Sequence, residues 1–145
     1  LKTVGIICEY NPLHLGHAKQ ISTIRNASGE DTAIVCLMSG NFVQRGDTAI
    51  MDKLDRARLA VRSGADLVIE LPVQYCLSSA ELYAKGAVFI LGALGAVDEI
   101  SFGSECGELE LLRETAEIVN KCVQTKSDDI NGLLKMGYAY PKALT

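Results

Sequence analysis

No stretch of this 145-residue chain is long and apolar enough to cross a membrane. Its opening, LKTVGIICEY, has one lysine and a strand-like run that ends in charge, without the longer apolar core and small-residue cleavage site of a signal peptide. Low-complexity segments are missing too. Cysteine is scattered: Cys8, Cys36, Cys76, Cys106 and Cys122 are odd in number and form no C-x-x-C pair. That argues against a disulfide framework or zinc knuckle and for a reducing, cytoplasmic setting with buried, inert thiols. Basic charge is short: 14 Lys and Arg against 18 Asp and Glu leave a net charge of -4. A free-standing nucleic-acid binder would carry a basic face, so if this chain handles RNA, that surface is expected elsewhere.

What is present is ordinary in bulk. Apolar residues at 48% and charged residues at 22% suit a globular domain, and the length suits one core without disulfide or metal staples. Short β-branched runs at Val4–Cys8, Thr32–Met38, Asp66–Leu71 and Glu99–Phe102 read as buried strands. Between and after them, helical spacing predicts helices from Leu15 or Gly16, over about Asp52–Ser63, over Ser78–Leu94 with Ser79 as a cap, and over Leu109–Val123. After Gln124 only a possible short helix remains. Strict alternation of strand and helix predicts an α/β domain, a Rossmann-like parallel sheet with flanking helices. The expected division is a nucleotide-binding domain over 1–124 and the start of a following segment over 125–145. In such sheets ligands bind beyond the carboxyl ends of the strands, which directs attention to loops 9–16, 39–50 and 103–107.

The first of these loops holds all the histidine of the chain, His14 and His17 of CEYNPLHLGH. A strand leads in and a helix leads out. The unpaired N–H groups and partial positive charge of a helix start bind phosphate. Gly16 is expected to allow close approach of a ligand. Imidazoles three residues apart face one side of an incipient helical turn and can donate hydrogen bonds to a transferring phosphoryl group. A chance pairing and a two-ligand metal site are the competing readings. The second lacks a third ligand at useful spacing, so no metal site is expected, and the strand–turn–helix setting favours phosphate.

The H-x-G-H pattern in this setting resembles the signature of the nucleotidylyltransferase superfamily. Together with VGIICEYNPLHLGH, MSGNFVQRGD, DKLDRARLAVRSGADLVIELP and ISFGSE it resembles one family, the bacterial tRNA(Met) cytidine acetate ligases, over nearly the whole chain. The resemblance implies ATP-dependent activation of acetate to acetyl-adenylate, then acetylation of N4 of the wobble cytidine of elongator tRNA(Met). It implies ATP, as its magnesium complex, as the cofactor, and acetate and tRNA as partners. It places ATP contacts on Ile7, Cys8, Glu9, Tyr10, Asn11, Pro12 and Leu13, on His14, Leu15, Gly16 and His17, on Ala18, Lys19 and Gln20, and on Gly103. His14 and His17 take the catalytic part. Leu13 and Leu15 depart from the phenylalanine and asparagine expected between the key residues. Members of the family are longer, so further ATP contacts and most of the RNA surface are expected beyond Thr145.

In the second loop, Asn41, Gln44 and Arg45 follow the second strand, and Lys53 and Arg56 open the next helix. Their donors suit a carboxylate or phosphate, so this segment is expected to shape an acetate pocket or contact RNA. Solvated surface charge is the alternative for each residue. Gly103 reads either as a turn glycine or as a place where a nucleoside meets backbone. Two other functions remain open: an adenylyltransferase acting on a phosphorylated small molecule, and a non-catalytic nucleotide- or RNA-binding module.

Overall fold

The computed structural model describes residues 1–29, 31–125, 127–139 and 142. The chain folds as β1 (Thr3–Cys8), α1 (Leu15–Ser28), β2 (Ala33–Ser39), α2 (Lys53–Arg62), β3 (Leu67–Leu71), α3 (Val73–Cys76), α4 (Ala80–Ala93), β4 (Glu99–Ser101), α5 (Leu109–Thr125) and α6 (Ser127–Lys135). The four strands form one sheet in the order β3-β2-β1-β4, and every pairing is parallel. The expected α/β architecture is therefore the observed one.

The sheet is apolar on both faces because helices cover both. Val4, Ile6 and Cys8 alternate toward one face, beside Ile34, Cys36 and Met38. There they meet Ile21 and Ile24 of α1 and Ala60 of α2. Val35, Leu37 and Leu71 point the other way, onto Cys76, Tyr83, Ala87 and Leu91. Gly5 lets α4 lie close, since a Cβ there would meet Leu91 Cδ1 at 3.0 Å and Val97 Cγ1 at 3.1 Å.

Helix boundaries follow local chemistry. Ser79 caps α4, its hydroxyl accepting from Leu82 N at 3.3 Å. Asp52 caps α2 by accepting from Leu54 N at 2.8 Å. The one-turn helix α3 directly after Pro72 was not expected, because four residues carry no helical periodicity.

The chain divides into two compact units, Leu1–Gly103 and Ser104–Thr145. The expected boundary at 124 grouped the helix after residue 108 with the sheet, whereas α5 lies in the second unit. No residue of α5 is buried, although its apolar residues recur on one face. Cys106 and Cys122 are exposed in this unit, which corrects the expectation of five buried thiols. Cys8 and Cys36 are buried in the sheet, and Cys76 is the buried residue of α3.

Three consecutive strands run outward from β1 to β3, and β4 then returns to the other flank of β1. The crevice between the carboxyl ends of β1 and β4 is the switch point where such sheets hold ligands.

Candidate functional site: the histidine turn

His14 is the N-cap of α1. Its Nδ1 accepts from the Gly16 backbone N–H at 3.1 Å, and the His14 N–H donates back to His17 Nδ1 at 3.3 Å. This is a capping box built from imidazoles in place of hydroxyl and carboxylate. The two rings stack, with centroids 3.7 Å apart and planes 22° from parallel. A ring nitrogen that accepts a hydrogen bond carries no proton, so each neutral imidazole bears its N–H at Nε2. Burial first, and the neighbouring His14 second, hold the His17 pKa below 6.5. No acidic residue stands in the first turn of α1 to repel an anion.

Gly16 has a more local reason than close ligand approach. A Cβ there would lie 2.9 Å from His14 Cε1 and 3.1 Å from its Nδ1. The missing side chain makes room for the capping imidazole.

Behind the turn, Tyr10 is buried at φ 47°, the left-handed region. Its ring lies 4.9 Å from that of His17, and its hydroxyl lies 3.5 Å from Cys36 Sγ. Burial pushes its phenol far above the usual range, and the Cys8 thiol is likewise pushed up by burial. These groups are neutral packing, not titrating chemistry.

A cavity of about 600 Å³ opens at the switch point. Of the residues expected at ATP, Ile7, Cys8, Glu9, Tyr10, Asn11 and Pro12 line it, as do His14, His17 and Gln20. Gly103 lines it from the end of β4. Five others do not lie on this wall. Leu13 packs against the core, Leu15 is 89% exposed, and Gly16, Ala18 and Lys19 are off it. Tyr83 and Phe102 line the cavity without having been expected there. Tyr83 comes from α4 and donates to Cys8 O at 3.4 Å, a juxtaposition made only by folding. Phe102 had a signal, its place between a strand end and Gly103.

The loop after β2 is divided in its roles. Gln44 joins the cavity, and its N–H donates to Glu9 Oε1 at 2.6 Å. Arg45 is exposed at φ 73° in a one-turn 3-10 segment. Asn41 faces its own loop, Oδ1 accepting from Lys53 N at 3.3 Å. Lys53 pairs with Glu70 at 2.7 Å, away from this cavity. Arg56 corrects the expectation of a ligand contact. It is 0% exposed, and its three nitrogens donate to carbonyl oxygens: Nε to Met51 at 3.2 Å, one terminal nitrogen to Glu9 at 2.5 Å, the other to Gly40. A planar donor fork matched to three carbonyls fastens the ends of β1 and β2 together. Asn11 Oδ1, accepting from Ile50 N at 2.8 Å, adds another tie between the same loops. On the far side Gln20 Nε2 donates to Ser101 O at 3.3 Å and Oγ at 3.2 Å, joining α1 to β4.

Among the described residues no group of three or more His, Cys, Asp or Glu side chains is placed to hold a metal. No helix among them is long and apolar enough to cross a membrane.

A family model described as HIGH Nucleotidyl Transferase matches residues 1–145. The tRNA(Met) cytidine acetate ligase of Clostridium novyi (strain NT) is 46% identical over 143 residues, which is 99% of this chain and 36% of that protein. The protein of the same name from Clostridium acetobutylicum is 46% identical over 144 residues, 99% of this chain and 35% of that one. The crystal structure of Thermotoga maritima TmcAL bound with alpha-thio ATP superposes with a TM-score of 0.85 at 38% identity, covering 99% of this chain and 34% of that chain. The chain thus spans about a third of the length of the curated relatives it matches.

Proposed function

The chain belongs to the HIGH nucleotidyl transferase family, and from that premise we propose that it forms the ATP-binding part of a tRNA(Met) cytidine acetate ligase. The observation that carries this reading is the histidine turn, with two stacked imidazoles at a helix start, both presenting Nε2–H beside a cavity of about 600 Å³. The names of the relatives and the ATP analogue bound to Thermotoga maritima TmcAL support the substrate assignment.

In the proposed reaction ATP lies across the turn, with its triphosphate toward α1 and its nucleoside toward Phe102 and Gly103. A carboxylate oxygen of acetate attacks the α-phosphorus. The bond to the bridging oxygen breaks, pyrophosphate leaves, and acetyl-adenylate remains. His14 and His17 donate hydrogen bonds to the phosphoryl oxygens as charge builds on them, without a covalent intermediate. N4 of the wobble cytidine of elongator tRNA(Met) then attacks the acetyl carbonyl, AMP leaves, and the amine proton passes to solvent. Magnesium would arrive on the phosphates: among the described residues Glu9 is the one carboxylate lining the cavity, it already accepts from Gln44 N, and no group of three or more His, Cys, Asp or Glu side chains is placed to hold a metal.

The test is exchange of labelled pyrophosphate into ATP by protein of the relatives' full length, with and without acetate. Exchange that depends on acetate is expected. Exchange that instead requires a phosphorylated acceptor, or none with either, rejects the ligase reading.

A further inference from the structure

We propose that Glu9 is the proton acceptor of the second half-reaction, the group that takes the proton released when an amine attacks the activated acyl carbon. The inference rests on the proposed function and gives its second step a catalytic residue.

Glu9 follows the last residue of β1 and stands on the wall of the cavity of about 600 Å³ at the switch point. Its two carboxylate oxygens differ. Oε1 accepts from Gln44 N at 2.6 Å. Oε2 has no hydrogen-bond or ion-pair partner among the described residues. Ser39 Oγ is the one side-chain nitrogen or oxygen among them that is both buried and unpaired, so solvent reaches Oε2 of this half-buried residue. Arg56 donates to the Glu9 carbonyl and not to its carboxylate. One oxygen thus fixes the group, and the other stays accessible with its charge uncompensated.

That charge is at odds with the first step. ATP and acetate are both anions, and acetate attacks phosphorus without losing a proton. A carboxylate beside them adds repulsion. Partial burial without a cation carries a desolvation cost as well. The tie to Gln44 needs no charge either, since a glutamine oxygen would accept from the same N–H. The second step differs. An amine that attacks the acetyl carbonyl forms a C–N bond and gains positive charge. The C–O bond to the phosphate then breaks, AMP leaves, and one N–H proton must go. Glu9 attracts the charged nitrogen, accepts its proton at Oε2 and releases it to solvent.

Among the described residues, the rest of the cavity wall offers no comparable base. Nδ1 of His14 and Nδ1 of His17 accept the backbone bonds that cap α1. Burial first, and the Glu9 charge second, raise the Tyr83 phenol above its ordinary range. Burial raises Tyr10 and Cys8 likewise, so these groups keep their protons. The amides of Asn11, Gln20 and Gln44 are not bases.

The test separates the two steps in Glu9→Gln, made in protein of the relatives' full length. Glutamine keeps an acceptor for Gln44 N and removes the charge. Exchange of labelled pyrophosphate into ATP reads the first step. Single-turnover transfer of labelled acetyl to an elongator tRNA(Met) transcript reads the second. Exchange is expected to persist with a lower KM for acetate, because a repelling charge is gone. Transfer is expected to fall on the order of 10²-fold or more, so that acetyl-adenylate accumulates. Glu9→Asp keeps the charge on a shorter arm and should transfer faster than Glu9→Gln. It also supplies a folded variant if Glu9→Gln is not one, and its transfer should then fall more than its exchange. Loss of exchange in folded Glu9→Gln would assign the carboxylate to ATP or acetate. Transfer at the wild-type rate would leave Glu9 a loop tie. Either result overturns the inference alone. Wild-type protein without acetate-dependent exchange rejects the ligase reading itself and this inference with it.

Discussion

Gly16 exists in its present form because of His14: a methyl group on Gly16 would sit 2.9 Å from the Cε1 of the imidazole that caps the same helix. Gly16→Ala is therefore expected to leave the sheet intact and to expel the His14 ring from its place. Nitrogen-15 spectra of the histidines should show His14 losing the fixed Nε2–H tautomer. Loss of one oriented donor costs on the order of 10²- to 10³-fold in rate, to be read in pyrophosphate exchange. A variant with an unchanged His14 spectrum would mean that the ring is placed by something else.

His14 has a structural duty and a proposed chemical one, and substitution can separate them. His14→Ala should lose both, with a stability decrease of about 1 kcal/mol from the missing cap and the rate loss given above. Asparagine is a good N-cap, so His14→Asn should recover most of the stability in urea unfolding and none of the exchange activity. Full activity in His14→Asn would reduce the residue to a helix cap.

The pH dependence follows from His17. Its folded pKa is lowered below 6.5, so the folded state binds fewer protons than the unfolded chain in the window just below that value. The stability this residue contributes is complete above about pH 6.5 and is lost as pH falls through the lowered pKa. Urea midpoints at successive pH values should decline on the acid side, and His17→Gln should flatten that part of the curve. A ring that titrates above 6.5 in a proton NMR titration would contradict the burial seen here.

Arg45 and Arg56 are eleven positions apart in sequence and opposite in consequence. Arg56→Met strands three carbonyl acceptors, those of Met51, Glu9 and Gly40, and should destabilise the fold by about 3 kcal/mol or more. Arg45→Ala, on an exposed turn, should change stability by no more than about 0.5 kcal/mol. Chemical denaturation of the two variants decides between them, and equal effects would refute the clamp.

Thiol labelling of native protein should find Cys106 and Cys122 fast and Cys8, Cys36 and Cys76 slow, as their exposure and burial require. Between the two fast thiols, Cys106 should lead at mildly alkaline pH, because the hydroxyl of Ser104, helped by the backbone at Glu108, lowers its pKa. Mass spectrometry of the quenched reaction resolves the order. Early modification of Cys8 would show that the histidine cavity opens further than the static structure allows.

The sheet was legible in the sequence because short β-branched runs alternate with helical spacing, and the histidine turn because a rare residue type is concentrated at one strand–helix junction. What was not legible depends on neighbours distant in the chain. Arg56 reads as surface charge near a helix start, and only folding brings three carbonyls around its guanidinium. Tyr83 reaches the cavity from a helix whose pattern says only that one face is buried. Gly16 read as space for a ligand, because the sequence does not show that the histidine two residues earlier folds back over it. The division after Gly103 was missed for a related reason. The spacing of α5 announces an apolar face and not the unit that holds it.

The capping arrangement also restricts what these imidazoles can do. Each Nδ1 lone pair is engaged by a backbone N–H, which leaves Nε2–H as the group each ring turns outward. The turn is electrophilic. In this arrangement it gathers negative charge, and a ring could act as a base at Nδ1 only by giving up a bond that caps α1, so chemistry and helix start are tied to the same two atoms.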